Sequence, residues 1–253
     1  EGIKSLLEHP DFDVDIYTDL TDEALVKIIP QYDGLIVRSQ TQVTDQIITA
    51  ASNLKVIARA GVGVDNINIE AATLKGILVI NATDGNTISA TEHSIAMILA
   101  MARNIPQAHQ SLKSGKWDRK AFRGTELYKK TLGVIGAGRI GLGVAKRAQS
   151  FGMQILAFDP YLTEDKAKSL DIQLATVEEI ASKSDFVTVH TPLTPKTKGI
   201  VGENFFNLAK PNLQIINVAR GGIIDEDALI KALDQSQISR AAIDVFEHEP
   251  PLD

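Results

Sequence analysis

The sequence predicts an α/β protein made of two successive open parallel sheets, and three observations carry that reading. Short β-rich runs alternate with helical patterns almost throughout, the mark of repeated βαβ units. Several runs in the second part are nearly continuous apolar stretches, as strands buried on both faces are. The alternation pauses once, at a long helical pattern, and then restarts, so the 253 residues divide naturally into two domains. The expected division is 1–82 and 83–253, with connecting helices over 87–125 assigned to the second part.

In the first part, DVDIY (13–17), DGLIVRS (33–39), LKVIARA (54–60) and GILVINA (76–82) read as strands, with helices near 21–30, 44–52 and 68–75 between them. Thr21 and Thr44 are candidate N-caps, each followed shortly by Glu or Gln. One helical pattern is expected from about Thr87 to Ser114, kinked or broken by Pro106. In the second part, LGVIGA (132–137), QILAFD (154–159), DFVTVH (185–190), LQIINVA (213–219) and RAAIDVF (240–246) read as strands. Helices are expected near 138–151, 163–170, 176–183, 202–209 and 225–236.

Composition narrows the functions available. A net charge of −6 with scattered basic residues argues against a nucleic-acid partner, because phosphate binding needs a concentrated basic face. Only 113–130 (KSGKWDRKAFRGTELYKK) is locally basic. Without cysteine there is no disulfide framework, thiolate metal site or cysteine nucleophile, and no metal site is read from the remaining residues. No apolar run approaches the ~18 residues of a membrane helix, and EGIKSLLEHP at the N-terminus lacks a signal peptide's apolar segment, so a cytoplasmic protein is expected. The start at Glu1 and the end at PPLD are expected to be cuts from a longer chain.

Gly136-Ala137-Gly138-Arg139-Ile140-Gly141 fits GxGxxG, a weak signal by itself. Its setting strengthens it: an apolar strand precedes it, a helical pattern follows, and a second strand ends at Asp159, 18 positions beyond Gly141. Gly136 would permit the tight turn, Gly138 the approach of a pyrophosphate, and Gly141 the packing of helix on strand. The helix start offers free N–H groups and the positive end of its dipole. Asp159 would accept bonds from ribose hydroxyls and repel a 2′-phosphate, which points to NAD rather than NADP. Beyond the other strand ends lie Thr191-Pro192, Val218-Ala219-Arg220 and Asp244. Thr191-Pro192 reads equally as a strand-ending turn. Arg220 is suited to forking onto a carboxylate or ketone oxygen, but also fits an ordinary surface arginine. Glu249, between His248 and Pro250, is taken on local sequence for an acidic loop residue.

NVARGGIIDEDAL (217–229), AAIDVFEHEPP (241–251), VGVDNI (62–67) and HTPLTPKTKG (190–199) resemble the D-isomer-specific 2-hydroxyacid dehydrogenase family, from about residue 13 onward. The resemblance implies a flavodoxin-like substrate domain and a Rossmann domain for NAD, two Rossmann-like open sheets in all. It implies that Arg220 holds the substrate carboxylate and polarises the C2 oxygen, and that Glu249 raises the pKa of a catalytic histidine. By the same resemblance Arg139 and Ile140 meet the pyrophosphate; Val62, Thr191, Pro192, Val218 and Ala219 line the cofactor pocket; Asp244 accepts from the carboxamide. The Gly61, Gly63 and Val64 turn would offer N–H groups to the carboxylate. LIVRSQTQVT (35–44) and KWDRKAFRGTEL (116–127) resemble the members that oxidise D-3-phosphoglycerate, with Arg38, Asn86 and Arg119 at positions associated with that substrate.

The family's catalytic histidine lies in a Pro-His-Ile/Leu-Gly segment beyond the glutamate, so it is expected after Asp253. None of His9, His93, His109, His190 or His248 is assigned that role; His93 is expected to be a packed helix residue. The substrate domain's opening strand and its C-terminal return segment are expected to be missing. The rival readings are a sister enzyme for glyoxylate, hydroxypyruvate or D-lactate, and a non-catalytic NAD-sensing corepressor-like protein; a Rossmann-fold methyltransferase would lack the 217–251 pattern. A homodimer or homotetramer is expected, since relatives dimerise around 86–125.

Overall fold

The computed structural model describes residues 3–251. The chain divides into two compact units, Glu1–Thr83 and Asp84–Asp253.

The first unit runs α1 (Lys4–Leu7), α2 (Asp22–Ile28) with a 3-10 turn at Ile29–Gln31, β1 (Gly34–Val37), α3 (Asp45–Ala50), β2 (Val56–Arg59), α4 (Ile69–Leu74) and β3 (Leu78–Asn81). Its strands pair in parallel in the order β1-β2-β3, with Val37, Arg59 and Asn81 in register. Thr21 caps α2, accepting from the Ala24 N–H at 3.3 Å. Asn68 does the same for α4 through the Ala71 N–H at 3.0 Å. The core lies on one face of the sheet, where Leu35, Val37, Ile57 and Val79 meet Leu25, Ile29, Ile47, Ile48 and Ala72.

The second unit runs α5 (Thr87–Ala102), α6 (Ile105–Lys113), β4 (Thr131–Ile135), α7 (Arg139–Ser150), β5 (Gln154–Phe158), α8 (Glu164–Ser169), β6 (Gln173–Leu174), α9 (Val177–Lys183), β7 (Phe186–Val189), α10 (Glu203–Leu208), β8 (Gln214–Asn217), α11 (Glu226–Asp234) and β9 (Arg240–Ile243). All six strands are parallel, in the order β6-β5-β4-β7-β8-β9. The order reverses between β4 and β7, which makes that junction the switch point of a Rossmann sheet. Ile135 is in register with Phe158 and Val189, Val189 with Asn217, and Asn217 with Ile243, so five loops leave the sheet from one edge. Alternate residues feed two cores. Leu132, Val134, Phe186 and Ile216 pack on one face, and Ile135, Val187, Val189 and Ile215 on the other.

Two expectations are corrected, the expected break before Pro106 is located, and two short elements are added. Residues 13–17 form no strand; Ile16 and Tyr17 are exposed, and the segment has no ladder partner to hold it in a sheet. Thr44 precedes α3 but makes no side-chain cap bond. The pattern over 87–114 is two helices, because Asn104 adopts the left-handed conformation (φ 54°) between them and Pro106 falls in the first turn of α6, where a proline costs no hydrogen bond. The two-residue β6 and the one-turn α1 were too short to show a period in the sequence.

Candidate active site

The glycine-rich turn follows β4 directly. Gly136 makes the turn at φ +95°. Gly141, in the first turn of α7, lies so close to β4 that an added Cβ would sit 2.0 Å from the Gly136 carbonyl oxygen, so only glycine lets the helix start there. At Gly138, by contrast, an added Cβ would meet nothing within 4 Å: the backbone is open on that side. Gly138 is the N-cap and brings no side chain to the first turn of the 12-residue α7, whose leading N–H groups remain available to an anion.

Asp159 closes the other half of this βαβ unit. One carboxylate oxygen accepts from the Ala137 N–H at 2.8 Å, the other from the Tyr161 N–H at 2.8 Å. The carboxylate therefore holds the glycine turn in place. Arg139 is exposed beside the turn and pairs with Asp84 at 3.2 Å; Ile140 is half-buried against the core. Thr191 Oγ1 is buried without a hydrogen-bond partner, with Pro192 exposed after it. An uncapped helix start, an open glycine and an orphaned hydroxyl together fit a dinucleotide. His190, just before Thr191, is held neutral: burial pushes its pKa down to about 4, and its Nε2 lies 2.9 Å from Thr188 Oγ1.

Asn217 organises the next loop. It is 2% exposed at the end of β8, accepts from the Ala219 N–H at 3.0 Å and donates to the Arg220 carbonyl at 2.8 Å. The chain is thereby bent over Val218 and Ala219, with the Arg220 guanidinium donating to the Ala219 carbonyl at 2.6 Å. Gly221 then packs so tightly that a Cβ there would lie 1.9 Å from the Phe246 oxygen. Phe246 in turn donates its N–H to Glu249 Oε1 at 3.1 Å. The Arg220 and Glu249 loops are thus brought side by side beyond β8 and β9. Asp244 is the first residue after β9; its N–H donates to the Asn217 carbonyl at 3.0 Å, and its carboxylate lies 3.3 Å from His93 Nε2. His93 is therefore not a packed helix residue: its side chain is 46% exposed on α5.

Arg38, Gly61, Val62, Gly63 and Val64 belong to the first unit, where they follow the carboxyl ends of β1 and β2. Asn66, buried, donates to the Arg38 and Thr41 carbonyls at 2.8 and 2.7 Å and so shapes the first of these loops. The Asn81 amide donates to the Val62 carbonyl and shapes the second. Arg38 is exposed. In the second unit Asn86 precedes α5 without capping it. Arg119 is exposed in a turn built by Asp118, whose carboxylate accepts from Lys120 and Ala121 at 3.2 and 3.1 Å. Asn66, Asn81 and Asn217 were missed by sequence reasoning. Asn81 ends an apolar run and Asn217 interrupts one, and an amide so placed must find partners; Asn66, between Asp65 and Ile67, carried no such signal.

Residues 95–253 match the NAD binding domain of D-isomer specific 2-hydroxyacid dehydrogenases. The chain belongs to that family. Its cofactor is NAD. Among relatives of the chain, D-3-phosphoglycerate dehydrogenase of Methanocaldococcus jannaschii is 54% identical over 242 residues, 95% of this chain and 46% of the relative. The Bacillus subtilis protein of the same name is 51% identical over 222 residues, 88% of this chain and 42% of the relative. The crystal structure of D-lactate dehydrogenase from Aquifex aeolicus, complexed with NAD and lactic acid, superposes with a TM-score of 0.91 at 30% identity, covering 98% of this chain and 74% of that one. The chain thus spans less than half the length of these two phosphoglycerate dehydrogenases. Among the described residues no helix is long and apolar enough to cross a membrane.

Proposed function

We propose that the protein oxidises D-3-phosphoglycerate to 3-phosphohydroxypyruvate with NAD, the first step of L-serine biosynthesis, in the cytoplasm and as a homodimer or homotetramer. The observation that carries the chemistry is the junction of the Arg220 and Glu249 loops through Gly221, at the same sheet edge that bears the glycine turn. NAD, when bound, accepts the C2 hydride. The protein's residues do the rest. Arg220 binds the carboxylate and polarises the C2 oxygen as the alcohol becomes a ketone. Glu249 orients a histidine outside residues 1–253, which takes the hydroxyl proton, and the carboxylate stabilises the imidazolium that results. Val62, Thr191, Pro192, Val218 and Ala219 line the cofactor, Asp159 takes the adenosine ribose, and Asp244 the nicotinamide carboxamide. Gly63 and Val64 present backbone N–H groups to the substrate carboxylate, whereas the expected third donor, Gly61, spends its N–H on the Arg59 carbonyl at 2.8 Å; Arg38, Asn86 and Arg119 serve its phosphate. Exposed Ile105, Leu112 and Trp117 on and after α6 favour self-association there.

The test is steady-state turnover by the full-length protein. Arg38→Ala and Arg119→Ala should each lower kcat/KM for 3-phosphoglycerate about 10- to 100-fold, the loss of a charge-assisted bond, with little change for glyoxylate. Equal loss on both substrates would favour a sister activity, and no turnover of any 2-hydroxy acid would favour an NAD sensor.

A further inference from the structure

Asp244 stands at the free end of β9, the last strand on its side of the sheet. Its backbone is anchored by Asn217, yet its side chain is 50% exposed. An aspartate so placed has two free torsions, and an acceptor that must meet a ligand amide in one direction loses affinity for every rotamer that points elsewhere. Among the described residues the only group paired with this carboxylate is His93, whose Nε2 lies 3.3 Å from Oδ2. His93 rides on α5, the 16-residue helix that packs along β8 and β9, so its ring is held by a rigid element rather than a loop. Its neighbour Glu92 faces Arg147 of α7 at 3.9 Å and does not compete for the ring.

We propose that His93 is a positioning residue for Asp244: its imidazole, 3.3 Å from Oδ2, limits the rotation of the carboxylate and leaves the other oxygen directed at the amide of the nicotinamide ring. A small rotation of the ring would turn this contact into a hydrogen bond from Nε2 to the carboxylate. The sheet topology supports the location. In a doubly wound sheet the two halves of a dinucleotide lie on opposite sides of the switch point; Asp159 follows β5 on one side, and Asp244 follows β9 on the other. The inference rests on the reading of Asp244 given above, and the experiment separates the two.

NAD and ADP-ribose, which lacks the nicotinamide, are titrated into the full-length protein and its variants His93→Leu, His93→Gln and Asp244→Ala. His93→Leu should weaken NAD about 3- to 10-fold, the worth of one modest hydrogen bond, and leave ADP-ribose unchanged. His93→Gln, whose amide nitrogen reaches a similar point, should keep NAD within about twofold of wild type. Wild-type NAD affinity in His93→Leu, or equal loss of NAD and ADP-ribose, would overturn the proposal. Asp244→Ala should show the same selective loss of NAD. If it does and His93→Leu does not, the positioning role alone fails; if Asp244→Ala binds NAD normally, the reading of Asp244 fails with it.

Discussion

The two units use the same βαβ grammar but finish their sheets differently. In the second unit β7 and β8 are buried at every position, with one hydrophobic core on each face. In the first unit β3 alternates exposed and half-buried, and Leu78 is 61% exposed. Ile36 of β1 and Ile80 of β3 share that uncovered face, while Leu35, Val37, Ile57 and Val79 turn toward the helices. Parallel sheets are ordinarily covered on both faces. The sandwiched sheet gives the glycine turn, Asp159, Arg220 and Asp244 a close-packed base, where a shift of one strand is resisted from both sides. The one-sided sheet holds Arg38 and the Gly61–Val64 turn on a single layer of helices, with buried Asn66 and the half-buried Asn81 bracing the loops instead.

Breaking this contrast begins with its most buried member. Phe186, 0% exposed in the core shared by β4, β5 and β7, should cost about 3–5 kcal/mol when changed to Ala, read as a lowered denaturation midpoint with NAD binding lost over the same range. A cost below about 1 kcal/mol would mean that the sheet is not closely packed there.

A smaller effect tests burial through pH. His190 is neutral in the fold, with its pKa lowered to about 4 by desolvation, against about 6.5 in an unfolded chain. The unfolded state therefore binds the extra proton first. Stability from this group is complete above pH about 6.5 and is lost as pH falls toward 4, by on the order of 3 kcal/mol at most. His190→Gln should flatten the stability profile in that window relative to wild type. Identical slopes would show that the ring is not desolvated.

The smallest effect sharpens the comparison from the other unit. Leu78→Ser should change stability by no more than about 0.5 kcal/mol, as substitutions at exposed sites do. A loss above about 2 kcal/mol in the same denaturation assay would mean that the exposed face of β3 is covered in solution.

Local chemistry was enough to read most of this from the residues. The apolar runs at 132–137, 154–159, 185–190, 213–219 and 240–246 all mark strands, because a strand buried on both faces leaves no polar position to confuse the period. The glycine turn announced itself because GxGxxG occurs between a strand and a helix. At 13–17 the same kind of apolar pattern misled, since a strand exists only if another strand accepts its hydrogen bonds, and that is a property of the whole sheet. His93 and Asp244 were likewise invisible as a pair: 151 positions separate them, and only the packing of α5 on β9 brings them to 3.3 Å. Residue order determined the two α/β halves, the elements of the second and the nucleotide turn, because those follow from periodicity and from neighbours a few positions apart. Tertiary structure alone decided which strand edges align, which sheet face stays open, and which distant side chains meet beside Arg220 and Asp244, since contacts between remote segments depend on how whole elements pack.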